Sequence, residues 1–170
     1  MLAKLKKFSA LGAAEKTLYI HAWLYLGWMR AAILATSFKH LAAPLEHYRE
    51  AVNPPTVAPD QLTVAAQTGR LVAAAARYTP WQSRCLVQVL VTQRLLARRG
   101  IPGQVCLGVC GGSEAVASTR DPADFAAHAW LQCGDQVVNG AAGHERFNVV
   151  STFRWAGREP ARSGAESGQG

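Results

Sequence analysis

The spacing of apolar residues changes at Gly100, and that change constrains the fold more than any other feature of the chain. Before it, Leu62, Ala65, Ala66, Leu71, Val72 and Ala75 recur at helical intervals. The spacing predicts one helix over 61–78, with Asp60 as its N-cap. It predicts a second helix that runs to about Arg99 and stops at Gly100, with Pro102 beyond. After Gly100 the period falls to two. Val105, Leu107 and Val109 alternate with Cys106, Gly108 and Cys110, the pattern of a strand. Residues 111–124 read as a loop. Two further strands, 125–133 and 136–140, are joined by the two-residue turn Gly134-Asp135. Helices followed by a run of antiparallel strands indicate an α+β fold.

Upstream, residues 1–43 read as an N-terminal helical subdomain and residues 44–60 as a linker punctuated by Pro44, Pro54, Pro55 and Pro59. The main domain is expected over 61–156. A tail rich in Gly, Ser and Ala, expected to be disordered, fills 157–170. The run from Leu18 to Phe38 is apolar on nearly every side and long enough to span a bilayer. A span would bury His21 and Arg30 at membrane depth, which is costly. A signal peptide fits poorly, because Glu15 follows the lysines and no small-residue cleavage site follows the run. The expectation is a helix docked on the main domain or on a partner protein, with contact at a membrane surface as the rival.

Charge excludes some classes of partner. The 170 residues carry 18 basic and 11 acidic side chains, a net charge of +7. The basic residues are scattered, with short clusters at Lys4, Lys6, Lys7 and at Arg94, Arg98, Arg99. No ladder of alternating aromatic and basic residues appears, so nucleic acid is not an expected partner. Of the four cysteines, Cys106 and Cys110 would lie roughly 13 Å apart along one strand, beyond disulfide reach. Free thiols and a cytoplasmic location are expected. There is no phosphate loop, no dinucleotide fingerprint and no metal-ligand spacing, so neither cofactor nor metal is expected. His21, His40 and His47 read as surface or packing residues, and His144 sits in a Gly-rich loop with no metal-like spacing to another ligand.

Cys85 stands apart from the other thiols. The segment Thr79-Pro80-Trp81-Gln82-Ser83-Arg84-Cys85-Leu86 opens the second helix. Either Thr79 caps it with Gln82 as capping-box partner, or Ser83 caps it and places Cys85 in the first turn. In the second case free amides and the helix dipole favour a thiolate, and Arg84 adds positive charge. A nucleophilic cysteine needs such a setting. Taken alone, a free cysteine is more often a small buried hydrophobe, the reading that suits Cys106, Cys110 and Cys133. His128 lies in the strand segment Ala127-His128-Ala129-Trp130-Leu131. With a two-residue turn at Gly134-Asp135, Trp130 would face Asn139, and Asn139 would share a face with His128 on the diagonal. Its side-chain carbonyl could then hold the imidazole N–H, as asparagine does in Cys-His-Asn sites. Cysteine, then histidine, then asparagine or aspartate is the chain order of such sites.

Several segments together resemble the leader peptidases of lasso peptide biosynthesis, a transglutaminase-like branch of the papain-type cysteine peptidases. They are Trp81-Gln82-Ser83-Arg84-Cys85-Leu86, Arg98-Arg99-Gly100-Ile101, Ala127-His128-Ala129-Trp130-Leu131, Val137-Val138-Asn139-Gly140 and the stretch from Phe147 to Phe153. Glu15 and the Trp-rich helix resemble the start of that family, so the likeness reaches to about Trp155. It implies a Cys-bearing helix packed on a small antiparallel sheet. It also implies hydrolysis of the peptide bond between leader and core of a precursor, before macrolactam formation. Carried over, Cys85 is the nucleophile and His128 the base. Asn139 stands where many relatives place an acidic residue, and Asp135 and Asp124 are weaker candidates for the third role. No segment resembles the leader-recognition domain fused in some relatives. The implied partners are therefore the precursor peptide, a separate leader-recognition protein and the lasso cyclase. Two rivals remain at this level: acyl transfer to an amine, and a non-catalytic module that binds peptides in a biosynthetic complex.

Overall fold

The computed structural model describes residues 12–81, 83–110 and 127–157. Expectations about residues 1–11, Gln82, the loop with Asp124, Phe125 and the tail beyond Gly157 lie outside these residues.

The described residues open on helix α1 (Ala13–Ala35). Gly12 is its N-cap, and Glu15 accepts a hydrogen bond from the Gly12 amide at 3.0 Å. This is the half of a capping box that a glycine supports. Glu15 also accepts from Gln67 Nε2 at 2.7 Å. The Gly12 amide, and secondarily Gln67, hold its carboxyl below the usual range. A short helix α2 (Phe38–Ala42) and a short strand β1 (Glu46–Tyr48) follow. Helix α3 (Pro59–Ala76) starts two residues before the predicted position, with Ala58 as N-cap and Pro59 at its first position. Proline lacks the N–H that would go unpaired there. Asp60 therefore lies within the first turn, where the helix dipole favours its charge.

Helix α4 (Cys85–Arg98) ends at Gly100, which has φ 70°. Ile101 N–H donates to Leu96 O at 3.1 Å and Gly100 N–H to Ala97 O at 3.0 Å, the bond pair of a Schellman motif. Only a left-handed residue closes the helix in this way, and glycine adopts that conformation without steric cost.

Strands β2 (Gly103–Val109), β3 (Ala127–Cys133), β4 (Gln136–Asn139) and β5 (Asn148–Trp155) join β1 in one sheet of order β1-β5-β2-β3-β4. Every pair of neighbours is antiparallel. Three strands were expected; β1 and β5 are additional. β1 lies within the stretch expected as linker. It forms because β5 returns beside it: Glu46 pairs with Arg154, and His47 stacks on Phe153 with ring centroids 4.6 Å apart.

Helices α3 and α4 cover one face of the sheet. Ala65, Val89 and Leu96 share a core there with Val105, Ala129, Leu131, Cys133, Val138 and Phe153. Helix α1 packs on the outer side of this layer, where Ala22, Leu26 and Met29 meet Val72 and Ala75 of α3 and Val87, Leu90, Val91 and Leu95 of α4. Full burial of a side chain such as Leu26 or Leu96 contributes about 2–3 kcal/mol. The opposite side of α1 leaves Ile20, Leu24, Trp28 and Leu34 exposed. Among the described residues, no helix is long and apolar enough to cross a membrane.

Candidate active site

Cys85 is the first residue of α4, and Arg84 is the N-cap by its extended backbone (ψ 170°). Of the two starts open to the sequence, the helix takes the later one, one residue beyond Ser83. Ser83 Oγ is instead 2.9 Å from Thr79 Oγ1, and Ser83 O accepts from Gln88 Nε2 at 2.7 Å. The first backbone bond of the helix runs from Gln88 N–H to Arg84 O at 3.2 Å. The amides of Cys85, Leu86 and Val87 precede it and have no acceptor within the helix. They are the donors that can stabilise an anion at this end. The half-buried thiol packs against the core that contains Val89 and Ala129.

Topology sets where His128 lies relative to this thiol. The connection from α4 to β2 is short, so β2 runs back along α4. Fourteen residues of helix span roughly 21 Å, and seven residues of strand span roughly 23 Å. The end of β2 is therefore level with Cys85. Gly108 near that end pairs with His128, and Val109 pairs with Ala127. Cys85 and His128 thus lie at the same end of the α/β layer.

His128 Nε2 lies 2.8 Å from the carbonyl oxygen of Gly140. A carbonyl only accepts, so Nε2 carries the hydrogen, and in the neutral ring Nδ1 keeps its lone pair. The ring is 6.0 Å from Trp130 and 5.2 Å from Phe147 between centroids, and Trp130 in turn is 5.7 Å from His144. Among the described residues, His128 and Cys85 share no hydrogen bond. Ala129 and Leu131 point into the core under α4, so strand alternation directs His128 to the other face. Cys85 lies on the helix side of the sheet, so the structure does not bring its thiol and the His128 imidazole together.

Asn139 departs from the expected geometry. Cys133 pairs with Gln136 and Gln132 with Val137, as a two-residue turn requires, but Leu131 then pairs with Asn139. Val138 is the extra residue of a β-bulge. A shift of one residue sends a side chain to the other face. Asn139 consequently faces the helices, where Nδ2 donates to Gly69 O on α3 at 3.3 Å and to Thr92 Oγ1 on α4 at 3.2 Å. It does not hold the imidazole; the backbone carbonyl of the next residue does. Gly69 makes the approach possible, since a Cβ there would fall 1.9 Å from Val138 O. Asp135 lies in the turn at the far end of the β3–β4 hairpin and is remote from His128.

The sequence reading missed Gly140, Gly69 and Thr92. Gly140 has φ 74°, and a Cβ there would meet Ala129 O at 2.6 Å. The Asn-Gly pair was the available signal for a left-handed residue at this point.

Two of the other thiols, Cys106 and Cys133, are buried. Burial pushes the Cys106 thiol up to about 11 and the Cys133 thiol up to about 12. All four cysteines are free. Among the described residues, no group of His, Cys, Asp and Glu could hold a metal ion. His40 bonds Ser37 Oγ through Nδ1 at 2.8 Å, and His144 Nδ1 donates to Ala141 O at 2.7 Å.

Comparison with known proteins agrees with this fold. The profile of the transglutaminase-like superfamily, whose members include cysteine peptidases and acyltransferases, matches residues 26–152. No curated protein and no solved structure gives a significant match. The matched region covers about three quarters of the chain and includes Cys85, His128 and all five strands up to Thr152. The chain belongs to the transglutaminase-like superfamily.

Proposed function

We propose that this protein is a cysteine peptidase that removes the leader from a lasso peptide precursor, with Cys85 as nucleophile and His128 as acid and base. The observation that supports the reading is the hydrogen bond from His128 Nε2 to Gly140 O, with the first-turn Cys85 at the same end of the layer. That bond leaves Nδ1 as the basic nitrogen, the requirement for taking a thiol proton. The two side chains lie on opposite faces of the sheet, so the mechanism requires a rearrangement that brings them together.

In this mechanism the Cys85 thiolate attacks the scissile carbonyl carbon. The developing oxyanion is held by amides at the start of α4. The protonated imidazole gives its proton to the leaving amine, and the C–N bond breaks to leave a thioester. His128 then takes a proton from water as its oxygen attacks the thioester, which releases the acid and returns the thiol. The leader specificity rests on the resemblance of Trp81 to Leu86, Ala127 to Leu131 and Val137 to Gly140 to that family. A separate leader-recognition protein and the cyclase are the partners it implies.

The test is incubation with a lasso precursor and its leader-recognition protein, read by mass spectrometry, with and without a primary amine. Loss of the leader mass with a free carboxylate at the cut, abolished in Cys85→Ala, supports the reading. An amine adduct as the main product would assign acyl transfer instead. Cleavage by Cys85→Ala at the wild-type rate would remove Cys85 from the mechanism.

A further inference from the structure

The exposed side of α1 and the C-terminal half of α4 form a groove far from Cys85. Leu24, Tyr25, Trp28, Arg94 and Arg98 line a hollow of about 410 Å³. Trp28 and Leu24 are about half exposed (52% and 55%), and Ile20 and Leu34 extend the apolar stripe along α1. Contiguous exposed apolar surface of this kind marks an interaction site. The Arg94 guanidinium lies 5.5 Å from the Trp28 ring centre, and Arg98 lies 4.9 Å from that of Tyr25. These cation–π contacts hold the two planes in place. Among the described residues neither arginine has a carboxylate partner; the single ion pair there is His144–Glu145. A second hollow of about 550 Å³ on the other side of the same two arginines includes Leu45, Glu46 and Trp155. Arg94 and Arg98 thus form a cationic ridge between two hollows.

We infer that this groove binds an amphipathic, acidic helix of a partner protein. The spacing supports it. Leu24 and Trp28 are four residues apart on α1, and Arg94 and Arg98 are four apart on α4. An apolar row therefore runs beside a cationic row, each at one helical turn. The complement is a helix with apolar anchors at i and i+4 and carboxylates beside them. Arginine pairs carboxylates through two parallel bonds, which fixes the register.

Residues 1–11 and 158–170 do not supply this complement, and in residues 111–126, which carry Glu114, Asp121 and Asp124, the large apolar residues Val116 and Phe125 are nine positions apart rather than four. Residues 1–11 contain Lys4, Lys6 and Lys7 and no carboxylate, so their charge matches that of the groove. Residues 158–170 contain Glu159 and Glu166 but no large apolar residue. The net charge of +7 favours acidic partners over the whole surface. Arg94 lies nine residues beyond Cys85 in α4, roughly 14 Å along the axis, and Arg98 lies farther. A helix bound there leaves the thiol open, and the inference does not depend on the peptidase reading.

The experiment uses fluorescence anisotropy with a labelled helical peptide that carries Leu along one face and Glu beside it. The same peptide with Lys in place of Glu is the control. The full chain should prefer the Glu peptide by about tenfold or more at low salt. Arg94→Glu/Arg98→Glu should reverse that preference while circular dichroism stays unchanged. Trp28→Ala should weaken both peptides, and Cys85→Ala should change neither. Equal binding of the two peptides, or a preference that survives the charge reversal, overturns the inference. So does sedimentation with phosphatidylserine vesicles that is lost on charge reversal without any peptide preference, since the groove would then belong to a membrane surface.

Discussion

His128 and Gly140 are joined by a 2.8 Å hydrogen bond from imidazole Nε2 to a backbone carbonyl. In the proposed mechanism the orienting role that asparagine or aspartate fills elsewhere with a side chain falls to the main chain of the residue after Asn139. The carbonyl is placed by a glycine with φ 74° whose α-carbon packs against the backbone of Ala129 and Trp130.

Gly140→Ala tests that placement. An alanine Cβ would lie 2.6 Å from Ala129 O, so the backbone must shift. The strained left-handed conformation adds a cost of about 1–2 kcal/mol. The bond to His128 should lengthen or break, and kcat should fall by about 10²-fold, the lower range for loss of acid–base catalysis. Urea unfolding and single-turnover cleavage separate the two effects. Cleavage at the wild-type rate in folded Gly140→Ala would show that the carbonyl does not orient the ring.

Asn139→Asp tests the clamp that fixes β4 to the helices. The amide donates to Gly69 O and Thr92 Oγ1 in a buried position. Thr92 Oγ1 already donates to Gln88 O, so an acceptor at 139 gains no donor from it. A carboxylate there faces a carbonyl oxygen and loses both bonds. The variant should be less stable by about 2 kcal/mol or more. Protonation restores one donor, so the deficit should narrow as pH falls toward about 4. Denaturant midpoints at several pH values measure both. Higher activity with undiminished stability would contradict this account and return position 139 to the catalytic group.

The buried thiols give a prediction of the same sign on the alkaline side. Cys106 and Cys133 stand at about 11 and about 12, against about 8.5 in an unfolded chain. Between these values the unfolded state binds fewer protons than the native state. Stability is therefore full below about pH 8.5 and falls as pH rises from there. Denaturant midpoints from about pH 8 to 11 should decline, and the slope should flatten in Cys133→Ala. Equal slopes in both proteins would remove Cys133 as a cause.

The sequence made the broad layout legible and hid the detail of β4. The period change at Gly100 and the Gly134-Asp135 turn follow from local patterns, and the structure carries both; of the two helix starts the sequence left open, the structure takes the one that puts Cys85 in the first turn. The bulge at Val138 has a tertiary cause. It depends on Gly69, about seventy residues earlier, letting the β4 backbone approach α3. Strand β1 was hidden for the same reason. Three residues in a proline-rich stretch form a strand only because Thr152, Phe153 and Arg154 come back beside them.

The most direct test of the central claim is alkylation of Cys85, mapped by mass spectrometry in wild type and His128→Ala. Cys110, also half-buried, is the internal reference. At about pH 6.5 an ordinary thiol is only about 1% thiolate, so a cysteine activated by helix and imidazole should react first. The account predicts that Cys85 outpaces Cys110 by about tenfold or more in wild type and falls to the level of Cys110 in His128→Ala. Equal rates at the two cysteines in wild type, or a fast Cys85 that ignores the loss of His128, would contradict it.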